Sequence, residues 1–96
     1  MKKSNTQSIG EVINEYLKAL KLDSKIKETR ILNKWDQIVG KTVAKATSNL
    51  YIKNRVLYIY LKSSVVRNEL FMIRQGIIAK INSMAEETII DDIILK

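Results

Sequence analysis

Aliphatic residues fall on every second position through Leu50-Tyr51-Ile52 and again through Leu57-Tyr58-Ile59-Tyr60-Leu61. A period of two predicts a pair of half-buried antiparallel strands. Leu50, Ile52, Leu57, Ile59 and Leu61 take one face, and Tyr51, Lys53, Tyr58, Tyr60 and Lys62 take the other. Lys53-Asn54-Arg55 supplies the turn, because Asn enters the left-handed region of a tight hairpin more readily than most residues. A slip of one residue would send the aliphatic set into water, so the pattern itself specifies the register.

On either side of the hairpin the period becomes helical. Ser8-Ile9-Gly10-Glu11 has the form of a capping box. Ile9, Val12, Ile13, Tyr16, Leu17 and Leu20 follow at helical spacing and predict a first helix that lays one face on a core. Leu22-Asp23-Ser24 is read as its end and as the cap of a second helix, which carries Ile31, Leu32, Trp35, Ile38 and Val39 and stops at Gly40. In Lys41 to Ser48, Ala and Val suit a helical turn, whereas Thr42, Thr47 and Ser48 favour a connection. Beyond the hairpin, Ser63-Ser64 caps a long helix whose buried stripe is Val66, Leu70, Ile73, Ile77 and Ile81. Gly76 within it signals a close approach to the sheet or a bend. A third strand within Thr88 to Leu95 is expected to lie parallel to the second, by a right-handed crossover through that helix. The expected fold is a two-layer α+β domain of order α-α-β-β-α-β over residues 8–96, a three-stranded sheet packed on helices, after a flexible segment 1–7.

Composition narrows the function. With 96 residues and 46% apolar content, one core is expected. The chain has no Cys and no His, which removes thiol nucleophiles, imidazole bases and the common zinc ligand sets. Met1-Lys2-Lys3 leads into polar residues, and no apolar run approaches the roughly 18 residues of a membrane span, so a cytoplasmic protein without a membrane partner is expected. Net charge is +7, and residues 41–80 hold eight Lys or Arg against one acid. Such a basic excess fits nucleic acid, an acidic protein partner, or a solvated face with no ligand.

Aromatic and cationic residues interleave on one strand face, the composition of a platform for single-stranded DNA or RNA on which bases stack while phosphates meet ammonium groups. Tyr51, Lys53, Tyr58, Tyr60 and Lys62 form this candidate surface, with Arg55, Lys41 and Lys45 adding charge beside it. If the first helix covers that face, the rings are core instead. Trp35 reads as a core anchor or as a ring inserted into a partner. Val39-Gly40-Lys41-Thr42 resembles the tail of a phosphate loop, but Trp35 stands where that loop needs its first Gly, and the segment follows a helix. Glu86, Glu87, Asp91 and Asp92 read as guards of an edge strand rather than as a metal cluster or acid/base pair. No catalytic residue, metal site, cofactor or small-molecule substrate is expected.

Trp35-Asp36-Gln37-Ile38-Val39-Gly40, Thr47, the hairpin, and Leu61-Lys62-Ser63-Ser64 leading to Asn68-Glu69-Leu70 together resemble the bacterial DciA-like family, over about Ser8 to Leu95. The resemblance implies a KH-like fold and a non-ATPase helicase loader that binds single-stranded nucleic acid and the replicative DNA helicase. Arg67, Asn68 and Arg74, beside the Ser63-Ser64 signature and off the buried stripe, are the expected protein contacts. Gly10, Gly40 and Gly76 are too far apart for a Gly-x-x-Gly loop, so the KH clamp on nucleic acid is not implied. An RNA-binding or ribosome-associated module, and a pure protein-interaction domain, remain the alternatives.

Overall fold

A computed structural model describes residues 8–96, and the expected flexible segment 1–7 lies outside the described residues. The elements are α1 (Ile9–Leu32), α2 (Trp35–Val39), α3 (Lys41–Ala46), β1 (Thr47–Lys53), β2 (Val56–Leu61), α4 (Ser64–Met72), α5 (Arg74–Ala85) and β3 (Asp92–Leu95). The sheet order is β1-β2-β3, with β1 antiparallel and β3 parallel to the central β2. This is the expected α+β arrangement, including the helical crossover between the parallel strands.

Leu57, Ile59 and Leu61 bury the core face of β2 against Leu70, Ile77, Ile78 and Ile81 from the crossover helices and Ile31, Trp35 and Ile38 from α1 and α2. Trp35 is a core anchor. Its Nε1 donates to Thr47 Oγ1 at 3.0 Å, and that hydroxyl donates to the Val43 carbonyl at 2.9 Å, tying α2, α3 and β1 together. An irregularity in the β1–β2 pairing leaves Ser48 between the Thr47 and Asn49 partners. Before β3, the Asn82 side chain accepts from the Ile89 and Ile90 amides and donates to the Ile90 carbonyl, satisfying backbone that no strand pairs.

The helix boundaries differ from expectation. No break occurs at Leu22-Asp23-Ser24: α1 runs unbroken to Leu32, because that triplet contains neither Gly nor Pro and Asp23 pairs with Lys27 one turn on, at 3.6 Å. The turn falls instead at Asn33-Lys34, where the Asn33 amide reaches Thr29 and the Lys34 amide reaches Ile31. Lys41 to Ala46 is helical. The expected long helix breaks at Ile73 (φ −111°, ψ 14°), which lies at 55% exposure rather than in the core, and the change of phase brings Ile78 inward beside Ile77. Gly76 marks no close approach, since a Cβ there would meet nothing within 4 Å.

The largest departure is α1. Its stripe Ile9, Val12, Ile13, Tyr16, Leu17 and Leu20 is exposed, and Ile31 is its one buried residue. The helix borders the hairpin from Leu17 onward and enters the core at its C-terminal end, while its first turns project, so the described residues extend 61 Å along one axis against 21 and 20 Å along the others.

Candidate nucleic-acid interface

The hairpin positions the site. Lys53 pairs with Val56 across a two-residue turn in which Asn54 (φ 52°) and Arg55 (φ 66°) are both left-handed, the form whose twist matches the strands it joins. That register stands Tyr51 opposite Tyr58 and sets Tyr60 diagonally beyond, on the sheet face away from the core. The rings of Tyr51 and Tyr58 stack at 4.8 Å and 18°, and those of Tyr51 and Tyr60 at 6.1 Å and 28°. The Tyr51 and Tyr60 hydroxyls lie 3.5 Å apart, either one able to donate. That bond, then partial burial, raises the Tyr51 pKa above the ordinary phenol value, so the ring stays neutral. All three rings are half-buried, while the core cluster takes its strand residues from the opposite face. The rings cover one another, and α1 does not cover them: the groove it shares with the hairpin is lined by Ile52, Lys53 and Asn54 and by none of the three tyrosines.

Lys53 and Lys62 are exposed at the two ends of this face. A third cation was missed in the sequence. Tyr58 pairs with Ile94 in the parallel ladder, so alternation along β3 puts Asp92, Ile94 and Lys96 on the tyrosine side. Lys96 Nζ sits 6.0 Å from the centre of the Tyr60 ring. The alternation was visible once β3 was known to be parallel and in this register; composition alone did not reveal it.

Other expected residues lie elsewhere. Arg55 is turned to the segment entering β3: Nε and Nη2 donate to the two Asp91 carboxylate oxygens at 2.7 and 2.9 Å, and Nη1 donates to the Thr88 carbonyl at 3.0 Å. The Asp91 amide returns a bond to the Arg55 carbonyl, which helps to hold this non-glycine residue left-handed. Lys41 and Lys45 stand one turn apart on α3, exposed and lining a shallow depression with Asp36 and Ala44. The acidic residues do not converge: Asp91 holds Arg55, Glu87 pairs with Lys27 at 3.2 Å, and Asp92 Oδ1 accepts from the Ile93 amide. Among the described residues no group of three such side chains is placed to hold a metal.

The expected protein contacts divide in the same way. Arg67 is half-buried, and Nη2 donates to the Leu61 carbonyl at 3.2 Å. Asn68 is exposed, and the Arg74 guanidinium lies 4.0 Å from the centre of the Phe71 ring. Around them Val65, Phe71, Met72 and Ile73 are exposed, forming an apolar shoulder where α4 meets α5. The helix stripe misassigned Ile73 to the core and so hid this shoulder.

A family profile described as "Dna[CI] antecedent, DciA" matches residues 8–95. The chain belongs to the DciA family. Membership implies a helicase-loader-related role in replication, in a family of loaders and adaptors rather than of known enzymes. No curated protein matches the chain. No helix among the described residues is long and apolar enough to cross a membrane.

Proposed function

We propose that this DciA-family protein is a non-enzymatic adaptor that holds single-stranded nucleic acid on its tyrosine-lysine sheet face and meets the replicative DNA helicase through the α4–α5 shoulder. The observation that carries the first half is the open face itself, on which Lys53, Lys62 and Lys96 surround a cluster of three tyrosines. Because the rings spend part of their faces on one another, phosphate attraction and hydroxyl hydrogen bonds carry more of the binding than a ladder of free rings would. Sequence preference is therefore weak. The second half rests on family membership together with the exposed Asn68, Phe71 and Met72 and the half-buried Arg74 stacked on Phe71. A protein that binds the loading-competent state of a helicase more tightly than its other states shifts the population by that difference and needs no nucleotide cycle.

Titration with an unstructured oligonucleotide at several salt concentrations tests the first half. With about three to five phosphate contacts, log affinity falls against log salt with a slope of roughly −2 to −3.5. Replacing Lys53 and Lys62 with Gln flattens the slope, whereas Tyr58→Ala weakens binding at every salt concentration. Arg55→Gln has less effect on the slope than Lys53→Gln, because Asp91 already engages that charge. Failure to bind at low ionic strength overturns the nucleic-acid half and favours the protein-interaction alternative. For the second half, purified helicase, ATP and single-stranded DNA are mixed with and without the protein; unchanged helicase occupancy and unwinding overturn the loader role.

A further inference from the structure

We propose that the chain forms a two-fold homodimer in which α1 packs antiparallel on α1 of a second copy. This goes beyond the adaptor function and does not depend on it. Ile9 (80% exposed), Val12, Ile13, Tyr16 (64% exposed), Leu17 and Leu20 occupy positions i, i+3, i+4, i+7, i+8 and i+11, a continuous stripe that starts on the projecting turns of α1 and ends where Leu17 and Leu20 border the hairpin. A residue of this type carries on the order of 100 Å² of accessible apolar surface, as its transfer energy implies. The stripe therefore presents about 600 Å² per copy and about 1,200 Å² when two copies meet, the lower end of the range for specific stable interfaces. The residues that precede the helix hold Met1 as their one apolar side chain, so segment 1–7 offers no matching stripe.

Three features select a second copy, antiparallel, as the occupant. The stripe is self-complementary: a two-fold axis between Tyr16 and Leu17 sets Tyr16 of each copy against Leu17 of the other, and Ile13 against Leu20. The charge along α1 is divided, with Glu11 and Glu15 the charged residues of its first two turns and Lys18, Lys21, Lys25, Lys27 and Arg30 outnumbering Asp23 and Glu28 beyond them. Antiparallel packing lays the acidic half of each helix along the basic half of the other. The stripe also runs into a groove of about 470 Å³ between α1 and the hairpin, in which Leu17, Leu20 and Ile52 are apolar and three cations, Lys21, Lys25 and Lys53, stand against one acid, Glu28. Ile9 of the second copy, with Glu11 behind it, enters this groove at the level of Ser24.

Sedimentation of the full chain over a range of concentrations tests the dimer, with circular dichroism confirming that each variant is folded. The expected mass is twice that of one chain. Ile13→Asp and Leu17→Asp each halve it, and Leu22→Asp, on the far side of the helix at 65% exposure, leaves it doubled. The chain contains no native cysteine, so single introduced cysteines report the register. Tyr16→Cys, beside the two-fold axis, forms a disulfide-linked dimer on oxidation, and Ile9→Cys, far from it, does not. A monomer at every concentration overturns the proposal and leaves the stripe to a different protein. So does a dimer that survives Ile13→Asp and Leu17→Asp, or cross-linking at both cysteine positions, which marks a parallel pair.

Discussion

Helices α1 and α5 have similar apolar spacing and opposite fates. On α5, Ile77, Ile78 and Ile81 are 5%, 9% and 0% exposed, while on α1 the equivalent stripe is open to solvent. Side-chain chemistry does not separate them, since both carry large apolar side chains at helical intervals. Connectivity does. The α4–α5 segment leaves β2 and must return to β3 on the same sheet, so the crossover lays α5 back across the core face whatever its composition. Helix α1 is joined to the body at one end, where Ile31 and Trp35 enter the core, and nothing in the chain path brings its first turns back. Periodicity shows which face of a helix avoids water; it does not say what covers that face.

The strongest way to break this comparison is truncation. Ile81→Ala removes a fully buried side chain and is expected to cost about 2–5 kcal/mol in urea unfolding, a large part of the roughly 5–15 kcal/mol typical of a whole domain. Ile13→Ala, measured at concentrations where the chain is monomeric, is expected to change stability by no more than about 0.5 kcal/mol, because an exposed Ile is exchanged for a better helix former. Equal losses from the two variants would show that α1 folds back on the body in solution.

How much was legible follows the same division. The hairpin, its faces, the parallel third strand and the Ser63 cap could all be read, because each rests on local rules: alternation, turn chemistry, capping, crossover handedness. The exposure of α1, of Ile73 and of the α4–α5 shoulder could not, because each depends on where a helix lies relative to the rest of the chain. The role of Arg55 was hidden for a related reason. Its partner Asp91 is distant in sequence, and a basic residue at a turn looks the same whether its charge faces solvent or a carboxylate. Lys96 was missed because the face it joins is defined by the register of β3.

A smaller effect is expected where α1 gives way to the core. Trp35→Phe removes the Nε1 donor to Thr47 and part of the ring volume, costing about 1–3 kcal/mol. Thr47→Val leaves the Trp35 N–H buried without its acceptor, at a cost of about 1–3 kcal/mol. Since both act on one hydrogen bond, the double variant should lose less than the sum of the two. Additive losses in a double-mutant cycle would show that Trp35 contributes through packing alone and that the α2–α3–β1 tie is incidental.

The smallest expected effects concern the ion pairs that tie α1 and the hairpin turn to the segment between α5 and β3, Lys27–Glu87 and Arg55–Asp91. Lys27 is half-buried and the other three groups are exposed to solvent, so each pair contributes little at physiological salt. They differ in the pH at which that contribution disappears. The Asp91 carboxyl is held below the usual carboxylate value, first by its hydrogen bond from Arg55 and then by the guanidinium charge, with partial burial opposing. Its folded pKa is the lower one, so the stabilisation is complete above the unfolded value near 3.8 and is lost as pH falls through the folded value. Lys27 is shifted upward, first by its hydrogen bond to Glu87, so its contribution is complete below the unfolded value near 10.5 and is lost as pH rises through the folded one. Urea midpoints measured across the pH range should therefore show Asp91→Asn flattening the acid limb and Lys27→Met flattening the alkaline limb. An acid limb identical in Asp91→Asn and the parent would mean that the Arg55 clamp does not persist in solution, and Arg55 would return to the set of free cations available to a nucleic acid.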